Sequence, residues 1–194
     1  MQTMTHSRAS HPLIFVRHGA TEPNLAGLRC GGDLDVPLTE VGRRQAVEAG
    51  QRIQALRMPV GVIVCSDLQR TRETAHIIGR VLADVEVLVE ADFAERHLGA
   101  WNLRSIAETE TALAAGVTPP GGESNEEFFD RIAGAVEALL PRLARRPLLV
   151  GSKGVARALV ELLGLPSRQG LANGEVARLD LAAFARRNAV GCQA

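Results

Sequence analysis

Leu13-Ile-Phe-Val-Arg17-His18-Gly19 is an apolar run of strand length that delivers an arginine and a histidine directly into a glycine turn. In α/β folds the ends of strands are where chemistry collects. Arg17 brings a permanent cation with several donors, and a neutral His18 imidazole is a competent nucleophile toward a phosphorus atom that such a cation holds and polarises. A tripeptide of this kind is a weak sign alone and gains its weight from what surrounds it.

Further apolar runs rich in branched residues lie at 60–65, 85–89 and 148–151, and Val176-x-x-Leu179-x-Leu181 alternates as a last strand would. Between them, Gly42, Ala46, Ala49, Ile53 and Leu56 recur at helical steps behind Thr39, a suitable cap. Ser66-x-x-Gln69 and Ser124-x-x-Glu127 have the form of capping boxes, the second opening a helix through Phe129, Ile132, Val136, Leu139 and Leu143 that Pro141 kinks or ends. A further helix is read over 154–163, and the stretch 112–122 as a loop over the site. Strands alternating with helices give an α/β fold, a three-layer α/β/α sandwich with a mostly parallel central sheet.

At 194 residues the chain suits one domain, read as 12–187 between a flexible segment 1–11 and a tail 188–194. Hydrophobic residues at 46% and charged residues at 23% are the balance of an ordinary globular protein. The 22 basic side chains equal the 22 acidic ones, so no overall field draws in nucleic acid or an anionic membrane, and any anion site must be local. Cys30, Cys65 and Cys192 are scattered, without metal-ligand spacing, which suits a reducing cytoplasm. No apolar run is long enough for a signal core or a bilayer span.

Five blocks then occur in order. They are Arg17-His-Gly-Ala-Thr-Glu-Pro-Asn24 with Gly32-x-x-Asp35-x-Pro37-Leu38-Thr39; Cys65-Ser-Asp-Leu-Gln-Arg70-Thr71; Glu95-Arg96-x-x-Gly99-x-Trp101; Gly121-Gly-Glu-Ser124; and Leu148 through Arg157. Together they resemble the histidine phosphatase superfamily, also called phosphoglycerate mutase-like, over nearly the whole chain. The resemblance implies an α/β/α sandwich with its site at the carboxyl ends of the central strands. It implies that His18 is the nucleophile, forming a phosphohistidine that water or a second acceptor resolves, and that Glu95 protonates the leaving oxygen. Arg17 and Arg70 would clamp the nonbridging oxygens, with Asn24 and Gly32 completing the wall that binds them. No metal or other cofactor is implied. The expected partner is a small phosphorylated substrate, with neither nucleic acid nor membrane, and a homodimer is the candidate assembly.

The chain departs from the family in the last block. The family ends that strand with Ser-His-Gly, and the second histidine helps bind the transferring phosphoryl group; here the segment reads Gly151-Ser152-Lys153-Gly154. An ungapped register anchored on Arg157 puts Ser152 in the histidine's place, whereas the local Ser-x-Gly pattern puts Lys153 there. Lys153 would keep a cationic donor as a flexible point charge, and flanking glycines favour it; Ser152 would leave one neutral donor and weaken transition-state stabilisation. The short stretch between Trp101 and Gly121 leaves little room for the insertion typical of the mutases, so the expected activity is a phosphomonoester phosphatase. A catalytically impaired phosphate-ligand-binding or interaction protein and a small-molecule phosphomutase are the alternatives.

Overall fold

The computed structural model describes residues 12–166, 170–181 and 184; the segment 1–11 and the tail 188–194 lie outside the described residues. The run that carries Arg17 forms β1 (Pro12–Arg17). Among the described residues it joins β2 (Val62–Cys65), β3 (Val87–Val89), β4 (Pro147–Gly151) and β5 (Val176–Asp180) in a five-stranded sheet of order β3-β2-β4-β1-β5. The β1–β4, β2–β4 and β2–β3 pairs are parallel, and β5 runs antiparallel to β1. The helices are α1 (Glu22–Leu25), α2 (Glu40–Ala55), α3 (Gln69–Val81), α4 (Ile106–Ala114), α5 (Asn125–Leu139) and α6 (Lys153–Leu162).

The period-2 geometry of a strand sends alternate side chains to opposite faces, and both faces here are covered, so the inner strands read as unbroken apolar runs. Leu13, Phe15, Val64 and Leu149 enter one core with Ile132 and Val136 of α5 and Val155 and Leu159 of α6. Ile14, Val16, Ile63 and Val150 enter the other with Ala49 and Ile53 of α2 and Ala75 and Ile78 of α3. Full burial of each large side chain is worth about 1.5–3 kcal/mol, and these two sets hold the three layers together. The sandwich and its mostly parallel sheet are those the sequence predicts.

Thr39 caps α2, its Oγ1 accepting from Gly42 N–H at 3.0 Å. At α5 the capping box closes in both directions, Glu127 N–H to Ser124 Oγ at 3.1 Å and Ser124 N–H to Glu127 Oε2 at 2.8 Å. The Ser66 box does not form: α3 starts after Leu68, and the Ser66 hydroxyl pairs with Thr71 Oγ1 at 2.8 Å. Phe128, fully buried, faces the core where the periodicity placed Phe129, which is only partly buried. Pro141 falls in a 3₁₀ turn, Leu140–Arg145, that closes α5. The expected loop 112–122 begins inside α4, whose only buried residue is Thr109. Among the described residues no helix is long and apolar enough to cross a membrane.

Parallel pairing brings the carboxyl ends of β1 and β4 to one edge, with Arg17 level with Gly151. His18 N–H donates to Gly151 O at 2.9 Å, extending the ladder by one residue and setting Ser152 beside the histidine. The turn then rests on the start of α2, where Gly19 and Gly42 meet backbone to backbone: a Cβ on Gly19 would fall on Gly42 O, and one on Gly42 would fall on Ala20 O. Glycine is needed at both positions to let the chain pass.

Candidate active site

His18 is 3% exposed, and its Nδ1 lies 2.8 Å from Gly19 O. A carbonyl can only accept, so Nδ1 carries the proton and Nε2 keeps its lone pair. Burial, then the field of Arg70, push the ring's pKa well below its usual value; the Gly19 bond opposes this and Arg17 adds to it. The imidazole is therefore neutral at neutral pH, as a nucleophile must be. The Asn173 amide donates to His18 O at 2.9 Å and to Asn24 Oδ1 at 3.2 Å. Since Asn24 Oδ1 also accepts from Thr21 N–H at 3.3 Å, the Asn24 NH₂ is left as the group free to donate.

Both arginines belong to this strand edge. Arg17 donates through Nη1 to Leu171 O at 2.7 Å; burial lowers its pKa, which Glu95 and Glu175 partly restore. Arg70, in the first turn of α3, is completely buried and donates to Leu34 O at 2.8 Å and Gly31 O at 2.9 Å. It thereby holds the 31–34 turn as well as acting on His18. Gly32 spends its N–H on Arg96 O at 3.0 Å and is absent from the cavity lining, so its backbone donor is not presented there.

Glu95 follows a 3₁₀ turn, Ala91–Phe93, and reaches across to the start of α6. Its Oε1 accepts from Arg96 N–H and its Oε2 from Gly154 N–H, each at 2.8 Å. Residues that carried no role in the sequence reading fix this loop. Arg131 of α5 donates to Asp92 O at 2.7 Å and to both oxygens of Glu123 at 2.9 and 2.7 Å. Asp33 accepts from Leu98 and Gly99 N–H at 2.9 and 2.8 Å. Arg17, His18, Asn24, Glu95 and Lys153 line one cavity of about 290 Å³; Arg70, Gly32 and Ser152 stand outside its lining, as does Trp101.

Five buried side-chain polar atoms have no hydrogen-bond partner among the described residues: Arg17 Nε, Thr21 Oγ1, Arg70 Nε, an Arg96 amino nitrogen and Ser152 Oγ. Buried orphans are uncommon in folded proteins, and each of these belongs to a residue of the sequence blocks around His18, Arg70, Glu95 and β4. Most are donors, the complement of an oxygen-rich anion. Among the described residues no three or more His, Cys, Asp or Glu side chains group as metal ligands would.

The family model of the histidine phosphatase superfamily (branch 1) matches residues 13–186, from the second residue of β1 to beyond β5. The chain belongs to this superfamily. It is 38% identical over 186 residues to a protein of Photorhabdus laumondii named probable phosphoglycerate mutase GpmB, covering 87% of this chain and 84% of the relative. It is 34% identical over 159 residues to a metal-independent phosphoserine phosphatase of Arabidopsis thaliana, covering 76% and 66%. The mycobacterial glucosyl-3-phosphoglycerate phosphatase solved with VO3 superposes with a TM-score of 0.73 at 33% identity, over 87% of this chain and 90% of that one. Histidine phosphatases with phosphatase and with mutase names thus both stand among its homologues.

In this superfamily member the last block separates its two candidates. Ser152 is the N-cap of α6, 3% exposed, directly after the strand residue that pairs with Arg17. Lys153 is the first helical residue, exposed, at the cavity lining beside Gly170.

Proposed function

We propose that this histidine phosphatase hydrolyses phosphomonoesters through a phosphohistidine at His18. The observation that carries the reading is the His18 ring itself: Nδ1 bound to Gly19 O, and a neutral imidazole buried in the fields of two arginines. His18 Nε2 attacks phosphorus and the N–P bond forms as the bond to the ester oxygen breaks. Arg17 and Arg70 neutralise the nonbridging oxygens, whose charge spreads in the transition state, and Asn24 contributes its amide. Glu95, as general acid, gives a proton to the departing oxygen, so an alcohol leaves rather than an alkoxide. Water then attacks phosphorus, the Glu95 carboxylate takes the water's proton, and the P–N bond breaks to release phosphate. Ser152 takes the position of the family's second histidine, its buried unpartnered hydroxyl donating to a phosphoryl oxygen, while Lys153 adds a cation at the cavity mouth.

The test is metal-free turnover of an aryl phosphate by folded native protein, His18→Ala and Lys153→Ala, together with trapping of labelled phosphoenzyme. Turnover and an acid-labile phosphoenzyme are expected in the native chain and absent in His18→Ala, with a partial loss in Lys153→Ala. Turnover no greater than that of His18→Ala would refute the hydrolase. Label passing to a second organic acceptor instead of water would identify a phosphomutase.

A further inference from the structure

We infer that the organic group of the substrate is apolar, a short alkyl chain or single aromatic ring, and is held in the part of the cavity beyond Glu95. The inference rests on the phosphomonoester reading for the phosphate end and goes beyond it for the other. The apolar part of the wall is built by Phe15 and Leu179 of adjacent strands, Val160 of α6, Leu28, and Ile106 and Leu113 of α4. Two of the arginines there are largely engaged. Arg29 donates to Glu110 at 2.6 Å and to Thr109 Oγ1 at 2.8 Å, and Arg96 is bound to Glu123 O and Asn125 Oδ1.

Among the described lining residues Asn24 is the sole neutral amide, and no serine, threonine, glutamine or tyrosine is present. A polyhydroxylated leaving group would set hydroxyls against the apolar part of this wall, where they go unpaired, which disfavours binding. An apolar one is rewarded by burial alone. A volume of about 290 Å³ lies at the lower end of small-molecule sites, room for roughly ten non-hydrogen atoms at about 30 Å³ per water-sized group. Glu95 and His18 line the same cavity as these apolar side chains, so the proposed proton donor and the apolar wall share one chamber. The competing occupant is a second anion at Lys153 and Arg157, which line the cavity from α6 and have no ion-pair partner among the described residues.

Non-hydrolysable n-alkylphosphonates from methyl to hexyl, titrated calorimetrically into native protein and Ile106→Asp, separate these. Ile106 opens α4 and is 37% exposed, and an acidic residue suits a helix start, so the variant should fold. In the native protein Kd should fall roughly fourfold per added methylene. In Ile106→Asp the slope of that series should flatten, a readout within each protein that an overall change in affinity does not alter. A flat native series, no binding by any member, or tighter binding of 5-carboxypentylphosphonate than of hexylphosphonate would each overturn the assignment. Hydrolysis of hexyl phosphate is then compared with that of glycerol phosphate and phosphoserine. A steep phosphonate series without turnover of any ester refutes the hydrolase and leaves the apolar site standing; turnover that favours the polar esters refutes the apolar site and leaves the hydrolase.

Discussion

Gly154→Ala is a one-carbon change that tests whether Glu95 delivers the leaving-group proton. A Cβ at Gly154 would fall on Glu95 Oε1 and stand 2.8 Å from its Cδ and 3.0 Å from Oε2. The obstructing group is the free end of a flexible side chain, so the carboxyl swings away rather than the backbone moving. Doing so breaks the 2.8 Å bond from Gly154 N–H to Oε2. A hydrogen bond to a charged group is worth about 1.5–3 kcal/mol, against which alanine in place of glycine favours a helix by about 0.5–1 kcal/mol. Overall stability should therefore fall by about 0.5–2.5 kcal/mol, little enough to leave the fold intact. Catalysis should not be spared: a misplaced acid forfeits a stabilisation of that size, roughly 10- to 150-fold in kcat, for alcohols that need a proton to depart. For 4-nitrophenyl phosphate, whose phenolate leaves unaided, the loss should be small. The assay is kcat over a series of esters of graded leaving-group acidity, beside a urea unfolding curve. Equal losses across the series, or alkyl ester turnover left intact in the folded variant, would refute Glu95 as the acid and Gly154 as the residue that seats it.

Ser152→His should raise kcat on an aryl phosphate by about tenfold or more, since a donor aimed at developing charge is commonly worth that much. A folded variant with kcat unchanged or lower would mean that Ser152 is not the phosphoryl-facing position. His18 should also leave a mark on stability. Its folded pKa is depressed, so below about pH 6.5 the unfolded chain takes up a proton that the folded one refuses. Stability contributed by the neutral ring is whole above that pH and is lost as pH falls, approaching about 1.4 kcal/mol per unit. Unfolding curves at pH 7 and pH 5 should thus converge for native protein and His18→Asn, or cross in that direction. A difference that does not vary with pH would show that the ring is not held neutral.

Much of the fold was legible because burial on both faces leaves a simple trace. Leu148, Leu149 and Val150 are all fully buried, and an inner strand covered on both faces uses so short an apolar run completely. Helix α2 was equally plain, since Gly42, Ala46, Ala49 and Ile53 face inward at regular steps. Helix α4 was not, because a helix that buries only Thr109 carries no apolar stripe to read. Ser66 misled for a related reason: Ser-x-x-Gln satisfies a capping pattern, but the hydroxyl found a nearer partner in Thr71. In the site, Arg17 and His18 are neighbours in sequence and announce themselves. The side chains that seat them do not. Asn173 binds the carbonyl of His18 from 155 residues away, and Asp33 and Arg131 brace the Glu95 loop through backbone groups, contacts that no local spacing encodes.

How the proposed site works with Ser152 standing in for the family's second histidine follows from where its remaining donors are kept. A donor in water must first be freed and turned toward developing charge, whereas a buried orphan already stands unsolvated in place. Leaving such a group unpaired costs the folded protein on the order of 1–3 kcal/mol, and that cost is recovered only by an acceptor that enters. Arg17 Nε, Arg70 Nε and Ser152 Oγ are all in this condition beside a neutral His18. Two of the three carry a full, delocalised positive charge that does not titrate at working pH, as an imidazole does. The proposed site thus trades a switchable cation for a fixed hydroxyl while keeping its two permanent ones. On this basis the rate should lose the acid-side dependence that a second histidine in that position would impose.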